Sequence, residues 1–216
     1  MDSRRKTALK SLKRKDTVGM LLLGDVDIGK SALIRRWVNN DFPENYQATV
    51  EDFFMKTIIC MNQRVNVTII DIAGSRQFPT MDDLYIARSD VLMLVYEIGN
   101  QKSIDSMKWY YDSARKTLND KKVAFIVVGT KYDKHGSDIH QNIETGLEFF
   151  TELPEQPAQF STSAKNGYNV KELFEHGVKE ILKNNNVSDK RAKFERQITI
   201  EAMEDEKEKK PCCTIL

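Results

Sequence analysis

The chain has 216 residues, room for one well-buried domain with tails and too few for two of ordinary size. Its 40% apolar, 9% aromatic and 30% charged residues suit a folded core and exclude collagen, coiled coil and wholesale disorder. The net charge of +1 argues against nucleic acid as a partner, yet residues 1–16 hold seven Lys/Arg against two Asp, an excess of +5 that leaves −4 for the rest.

Residues 1–16 read as a basic extension ahead of the domain. Val18 to Leu23 is an unbroken apolar run ending at Gly24, the pattern of a parallel strand buried on both faces. From Ser31 the period becomes helical through Leu33, Ile34, Trp37 and Val38, and Asn39-Asn40-Asp41 closes that helix. Phe53 to Met61 and Arg64 to Ile70 predict two strands joined around Asn62-Gln63 as an antiparallel hairpin. Val91 to Tyr96 and Val123 to Val128 are further buried strands, and the helix between them, from Ser103 to Leu118, aligns Ile104, Met107 and Tyr111. Ile139 to Leu153 reads as a helix and Gln159 to Ser161 as a short strand. Val170, Leu173, Phe174, Val178, Ile181 and Leu182 form the stripe of a last helix. The alternation predicts an α/β fold, a six-stranded, mostly parallel sheet with helices on both faces and ligands beyond the carboxyl ends of its strands. Residues 184–216 lose the core period and read as a charged tail, so the domain is expected over 17–183.

Residues 24–31, GDVDIGKS, match the G-x-x-x-x-G-K-[ST] loop between a predicted strand and a predicted helix, the context that its mechanism requires. Gly24, Asp25, Val26, Asp27, Ile28 and Gly29 would wrap their main-chain N–H groups around a phosphate chain. The helix start at Lys30, Ser31 and Ala32 adds its positive dipole end. Lys30 would reach the β/γ oxygens and Ser31 could then ligate Mg²⁺. At the predicted ends of the strands stand GTKYD, residues 129–133, and TSAK, residues 162–165. A carboxylate at Asp133 accepts two N–H bonds from guanine, a donor pair that adenine lacks, and the stem of Lys131 lies over the ring.

With GDVDIGKS, ATVED, DIAG, GTKYD and SAK in this order, the chain resembles the Ras superfamily of small GTPases over residues 17–183. NYQATVEDFF is similar to the Ras-like branch, Thr130 in place of the usual Asn resembles the Rho branch, and SRQF with SIDSMKWYYDSARK resembles the fungal septation and mitotic-exit GTPases. The resemblance implies the P-loop GTPase fold, GTP/GDP with Mg²⁺ as ligands, and hydrolysis of GTP. It implies that Phe42 packs on the base, that Thr49 binds Mg²⁺ and the γ-phosphate, and that Asp71 orients Mg²⁺. Gly74 would give its N–H to the γ-phosphate, and Ser163, Ala164 and Lys165 with Thr130 would frame the guanine. Residues 40–52 and 71–88 would be the switch loops. Taken singly, Phe42 also suits a core aromatic, Thr49 a strand entry and Asp71 a turn cap. Cys60 is assigned to strand packing and His135, His140 and His176 to surface or loop roles.

Two positions depart from the family pattern. Ser75 stands where a Gln normally orients the attacking water, and its hydroxyl is too short for that task; Gln77 is two residues away. Val26 replaces a Gly beside the γ-phosphate, where a β-branched side chain crowds the entry of a partner's arginine. The expectation is slow hydrolysis. A GTP-holding module that works only by binding effectors is the alternative, and a P-loop kinase or ATPase a third reading that Asp133 disfavours.

Three cysteines give no disulfide framework, and no run approaches the roughly 20 apolar residues that cross a bilayer. Cys213-Thr214-Ile215-Leu216 fits the C-a-a-X signal, with a terminal Leu that favours geranylgeranyl, and Cys212 is a palmitate candidate. The expected picture is a monomeric switch on the cytoplasmic face of a membrane, the plasma membrane first. It would meet effectors through residues 46–57 and be served by an exchange factor and a GTPase-activating protein. Its basic arm adds attraction to anionic lipid.

Overall fold

The computed structural model describes residues 7, 10–12, 17–42, 49, 51–74, 79–119, 121–135, 148–153 and 156–184. Six strands form one sheet: β1 (Thr17–Leu23), β2 (Glu51–Cys60), β3 (Gln63–Ile72), β4 (Val91–Glu97), β5 (Ala124–Thr130) and β6 (Ala158–Ser161). Their order is β2-β3-β1-β4-β5-β6. Only the β2–β3 pair is antiparallel. The helices are α1 (Lys30–Asn39), α2 (Pro79–Arg88), α3 (Gln101–Leu118), a single turn α4 (Glu148–Thr151) and α5, residues 170–184. The chain divides into two units at 179/180. The first holds the whole sheet, and the described residues of the second, 180–184, are helical.

Every side chain of β1 is buried, as an unbroken apolar strand between two parallel neighbours requires. β1 pairs with β3 on one side and β4 on the other, so strand order reverses at its carboxyl end and a crevice opens there. The loop 24–29 leaves β1 at that point. One core gathers Leu21, Leu23, Ile70, Leu92, Leu94, Met107, Tyr111 and Phe150. Elsewhere in the domain Trp37 of α1 stacks on Phe174 of α5, with centroids 4.6 Å apart.

Most boundaries fall within two residues of the sequence reading. The hairpin turns at Met61-Asn62, one residue earlier than predicted; both residues take φ near +50° to +60°, the two-residue turn that matches strand twist. Two differences are larger. α2 lies inside the stretch expected as a switch loop, because Pro79 starts a helix that its own weak apolar period does not announce. Of the helix expected over 139–153, only Glu148–Thr151 is helical among the described residues, and 139–147 lie outside them.

β2 is the outer strand. Met55 (55% exposed) and Ile59 (80% exposed) lie on one face of it with Thr57, beyond the point where Phe53 meets Tyr85 of α2 edge to face. Its other face sends Lys56 back to the main-chain carbonyl of Trp37 and over the indole ring.

Part of the basic arm touches the sheet. The Ser11 hydroxyl is 2.9 Å from that of Thr68, and partly buried Leu12 packs on the core over Gly19, where a Cβ would meet its methyl group. Leu12→Ala is therefore expected to lower stability by about 1–2 kcal/mol, less than a fully buried Leu→Ala, in urea unfolding followed by circular dichroism. An unchanged midpoint would mean that the contact adds nothing.

Candidate functional site

The crevice at the end of β1 is a cavity of about 440 Å³. Its lining brings together Val26, Asp27, Gly29, Lys30, Ser31, Ala32, Phe42, Thr49, Gly74, Thr130, Lys131, Asp133, Ala164 and Lys165, fourteen of the residues singled out in the sequence. Gly24, Asp25, Ile28, Asp71 and Ser163 stand behind that wall. Ser75 and Gln77, residues 46–48 and 50 of the expected effector segment, His140, Cys212 and Cys213 lie outside the described residues.

The loop curls because its residues tolerate left-handed backbone. Gly24 takes φ +153° beside the Val95 carbonyl, which leaves no room for a Cβ, and Gly29 takes φ +99° at the helix entry. The ammonium of Lys30 sits inside the curl and donates to the carbonyls of Gly24 (2.9 Å) and Asp25 (2.7 Å). Burial pushes its pKa down to about 8, against the opposing pull of Asp71 and Asp25. The site thus holds a desolvated positive charge at one end.

Beside it Asp71 is 1% exposed, and its Oδ1 has no hydrogen-bond partner among the described residues. Burial lifts this carboxyl to about 6, although the Ser31 hydroxyl and the Lys30 charge favour its ionised form. Ser31 Oγ and Thr49 Oγ1 are 2.8 Å apart. Adjacent ligands of an octahedral magnesium ion, each at 2.0–2.1 Å, lie roughly 3 Å apart, so the two hydroxyls and the orphaned carboxylate oxygen fit that ion.

The far end of the cavity is built by β5, β6 and the loops that follow them. Asp133 accepts a 2.5 Å hydrogen bond from Ser163, which is fully buried behind it. Lys131, with φ +59°, sends its ammonium to the Asp27 carbonyl (2.8 Å) and the Glu97 carboxylate (2.9 Å), so its stem spans from the loop after β5 to the loop after β1. Buried Thr130 shares its hydroxyl between the carbonyls of Ile28 (2.5 Å) and Tyr96 (2.9 Å) and ties the loop to β4. Phe42 lies along the wall.

Sequence reasoning missed Arg36. It stands on α1 and donates to the carbonyls of Ala164 (2.6 Å), Lys165 (2.7 Å) and Asn40 (3.1 Å), fixing the SAK loop to the end of the helix that precedes Phe42. Tyr110 of α3, whose hydroxyl meets Asp25 and Gly74, was also missed. No local signal marks these roles, because the cavity-side partners lie 128 and 129 positions from Arg36 and 85 and 36 from Tyr110.

Comparison with known proteins places the chain by sequence. The family model described as "Ras family" matches residues 19–183. The chain is 31% identical to the human GTP-binding protein Rhes over 172 residues, 76% of this chain and 64% of Rhes. It is 34% identical to GTP-binding protein Di-Ras2 of Pongo abelii over 155 residues, 71% of this chain and 76% of that protein. It is 29% identical to the Ypt/Rab-type GTPase ypt7 of Schizosaccharomyces pombe over 199 residues, 90% of this chain and 96% of the relative.

The contact of Thr130 gives a stability test. Thr130→Val keeps the shape and removes the one donor that the two buried carbonyls share, so a loss of about 1–2 kcal/mol is expected in urea unfolding. A variant as stable as the parent would show that the hydroxyl does not fasten the loop.

Proposed function

Because this chain belongs to the Ras family of small GTPases, we propose that its GTP-binding switch holds the triphosphate for long periods at a membrane and acts by binding effectors in that state. GTP binding and GTPase activity are what the family supports. One observation supports the finer reading of the site: Lys30 and Asp133 line a single cavity. In this reading the amides of residues 24–30 and Lys30 bind the phosphates, Asp133 selects guanine, and Phe42 and Lys131 flank the ring. Ser31, Thr49 and Asp71 would hold Mg²⁺, which neutralises phosphate oxygens when bound.

Hydrolysis requires a water to attack the γ-phosphorus as its bond to the β–γ bridging oxygen breaks, leaving GDP and phosphate. Lys30 steadies the charge that gathers on the oxygens, and Gly74 offers its N–H. The weak step is the water. Ser75 is too short to orient it, and Val26 is 53% exposed on the cavity lining, where it takes the space an incoming guanidinium needs. Such a finger is worth about 10³ to 10⁵ in rate. A second reading, a module that never hydrolyses and is regulated by exchange or expression alone, draws on the same two residues.

Both readings are separated by a single-turnover assay on preloaded protein. The expected rate is about 10⁻⁵ per second or lower, below the roughly 10⁻⁴ typical of intrinsic hydrolysis, with about a tenfold rise when Val26→Gly and Ser75→Gln are combined. A parent rate at the family norm rejects the slow switch; no measurable turnover even in the double variant favours the pure binding module.

For the anchor, the support is the ending Cys213-Thr214-Ile215-Leu216 with Cys212 beside it, and the basic residues 4–15 as the second signal that one lipid chain needs. The reading sets the protein on the cytoplasmic face of a membrane, the plasma membrane first. Cys213→Ser should move the protein to the soluble fraction on cell fractionation, and an unchanged membrane share would refute prenylation.

A further inference from the structure

Tyr110 projects from α3 into the seam between the phosphate-side loop and Gly74, and it is only 8% exposed, so little solvent competes for its hydroxyl. That hydroxyl lies 3.3 Å from Asp25 Oδ1 and 3.2 Å from the Gly74 carbonyl oxygen. A phenol has one O–H proton and donates to one acceptor at a time. The two acceptors therefore compete, and the carboxylate is the stronger of them because its bond is charge-assisted. The backbone of Gly74 meanwhile presses on the main chain of Asp25; a Cβ there would collide with the Asp25 carbonyl. The Asp25 carbonyl in turn accepts from Lys30 at 2.7 Å. A continuous chain of contacts runs from the buried ammonium through Asp25 and Tyr110 to Gly74, and both ends of it line the cavity.

We propose that Tyr110 is a positioning residue whose single proton, shared between Asp25 and Gly74, holds Gly74 against the phosphate-side loop and so favours a triphosphate over a diphosphate. This rests on the nucleotide reading given above. Anchoring Gly74 through its carbonyl leaves the N–H free for a ligand and removes the ordering cost that a ligand reaching Gly74 would otherwise meet. A diphosphate, one phosphate shorter, gains nothing from that order. Asp25 opposes the effect by drawing the proton away, so removal of its carboxylate takes that competitor from the Gly74 carbonyl.

The test measures dissociation constants of the full chain for GDP and for a non-hydrolysable GTP analogue with Mg²⁺, in the parent, Tyr110→Phe, Asp25→Ala and the double variant. Tyr110→Phe should weaken the analogue about five- to tenfold relative to GDP. Asp25→Ala should raise the preference for the analogue, and part of that rise should vanish in the Tyr110→Phe background. Equal weakening of both nucleotides by Tyr110→Phe would make the residue merely structural and overturn the proposal. So would an Asp25→Ala effect of the same size in both backgrounds, which is loss of charge alone. A parent that binds neither nucleotide would instead defeat the nucleotide reading.

Discussion

An ammonium buried away from water is costly unless carbonyl oxygens or an anion surround it, and the architecture around Lys30 follows from that constraint. Among the described residues its ammonium donates to the carbonyls of Gly24 and Asp25, and reaching them makes the chain turn back on itself directly after β1. That turn demands glycine where the Val95 carbonyl leaves no room for a side chain. It also demands a start of α1 at Lys30 itself, where the helix end points its unbonded N–H groups into the same space. The depressed pKa of Lys30 and the raised one of Asp71 are two sides of this desolvation.

How much of this was legible beforehand depends on whether a residue's partners are close in sequence. The unit β1–loop–α1 was readable because an unbroken apolar run, two glycines and a change of period occur within about twenty residues. Val26, Asp27 and Gly29 to Ala32 of that unit line one cavity. α2 was not readable. Its stability comes from outside itself: Asp83 accepts from Thr117 of α3 at 2.5 Å, and Lys121 closes its end at the carbonyls of Ala87 and Ser89. A helix held by its neighbours leaves a faint pattern in its own sequence.

The same logic separates the residues that line the site from those that aim them. Asp133 and Lys131 belong to a short string beside the end of a strand, and any motif reading finds them. Ser163 was found as part of another string, but its task, a hydrogen bond to the Asp133 carboxylate, emerges only when β5 and β6 are side by side. Arg36 has no string at all. Its fork joins the SAK loop to the end of α1, so the Ala164–Lys165 wall of the cavity and the approach to Phe42 share one support. Thr130 does the same between Ile28 and Tyr96 with a single hydroxyl, a job that the departure from Asn at this position had left undefined.

β2 carries a different consequence. Among the described residues its ten residues pair on one side only, and its lysine is folded inward onto Trp37 instead of standing guard on the rim. Two greasy side chains, Met55 and Ile59, are left in the open on the same ribbon. Unguarded borders of this kind are where sheets zip onto foreign strands, so crowding and storage at high concentration will strain the protein along this margin before they strain its interior.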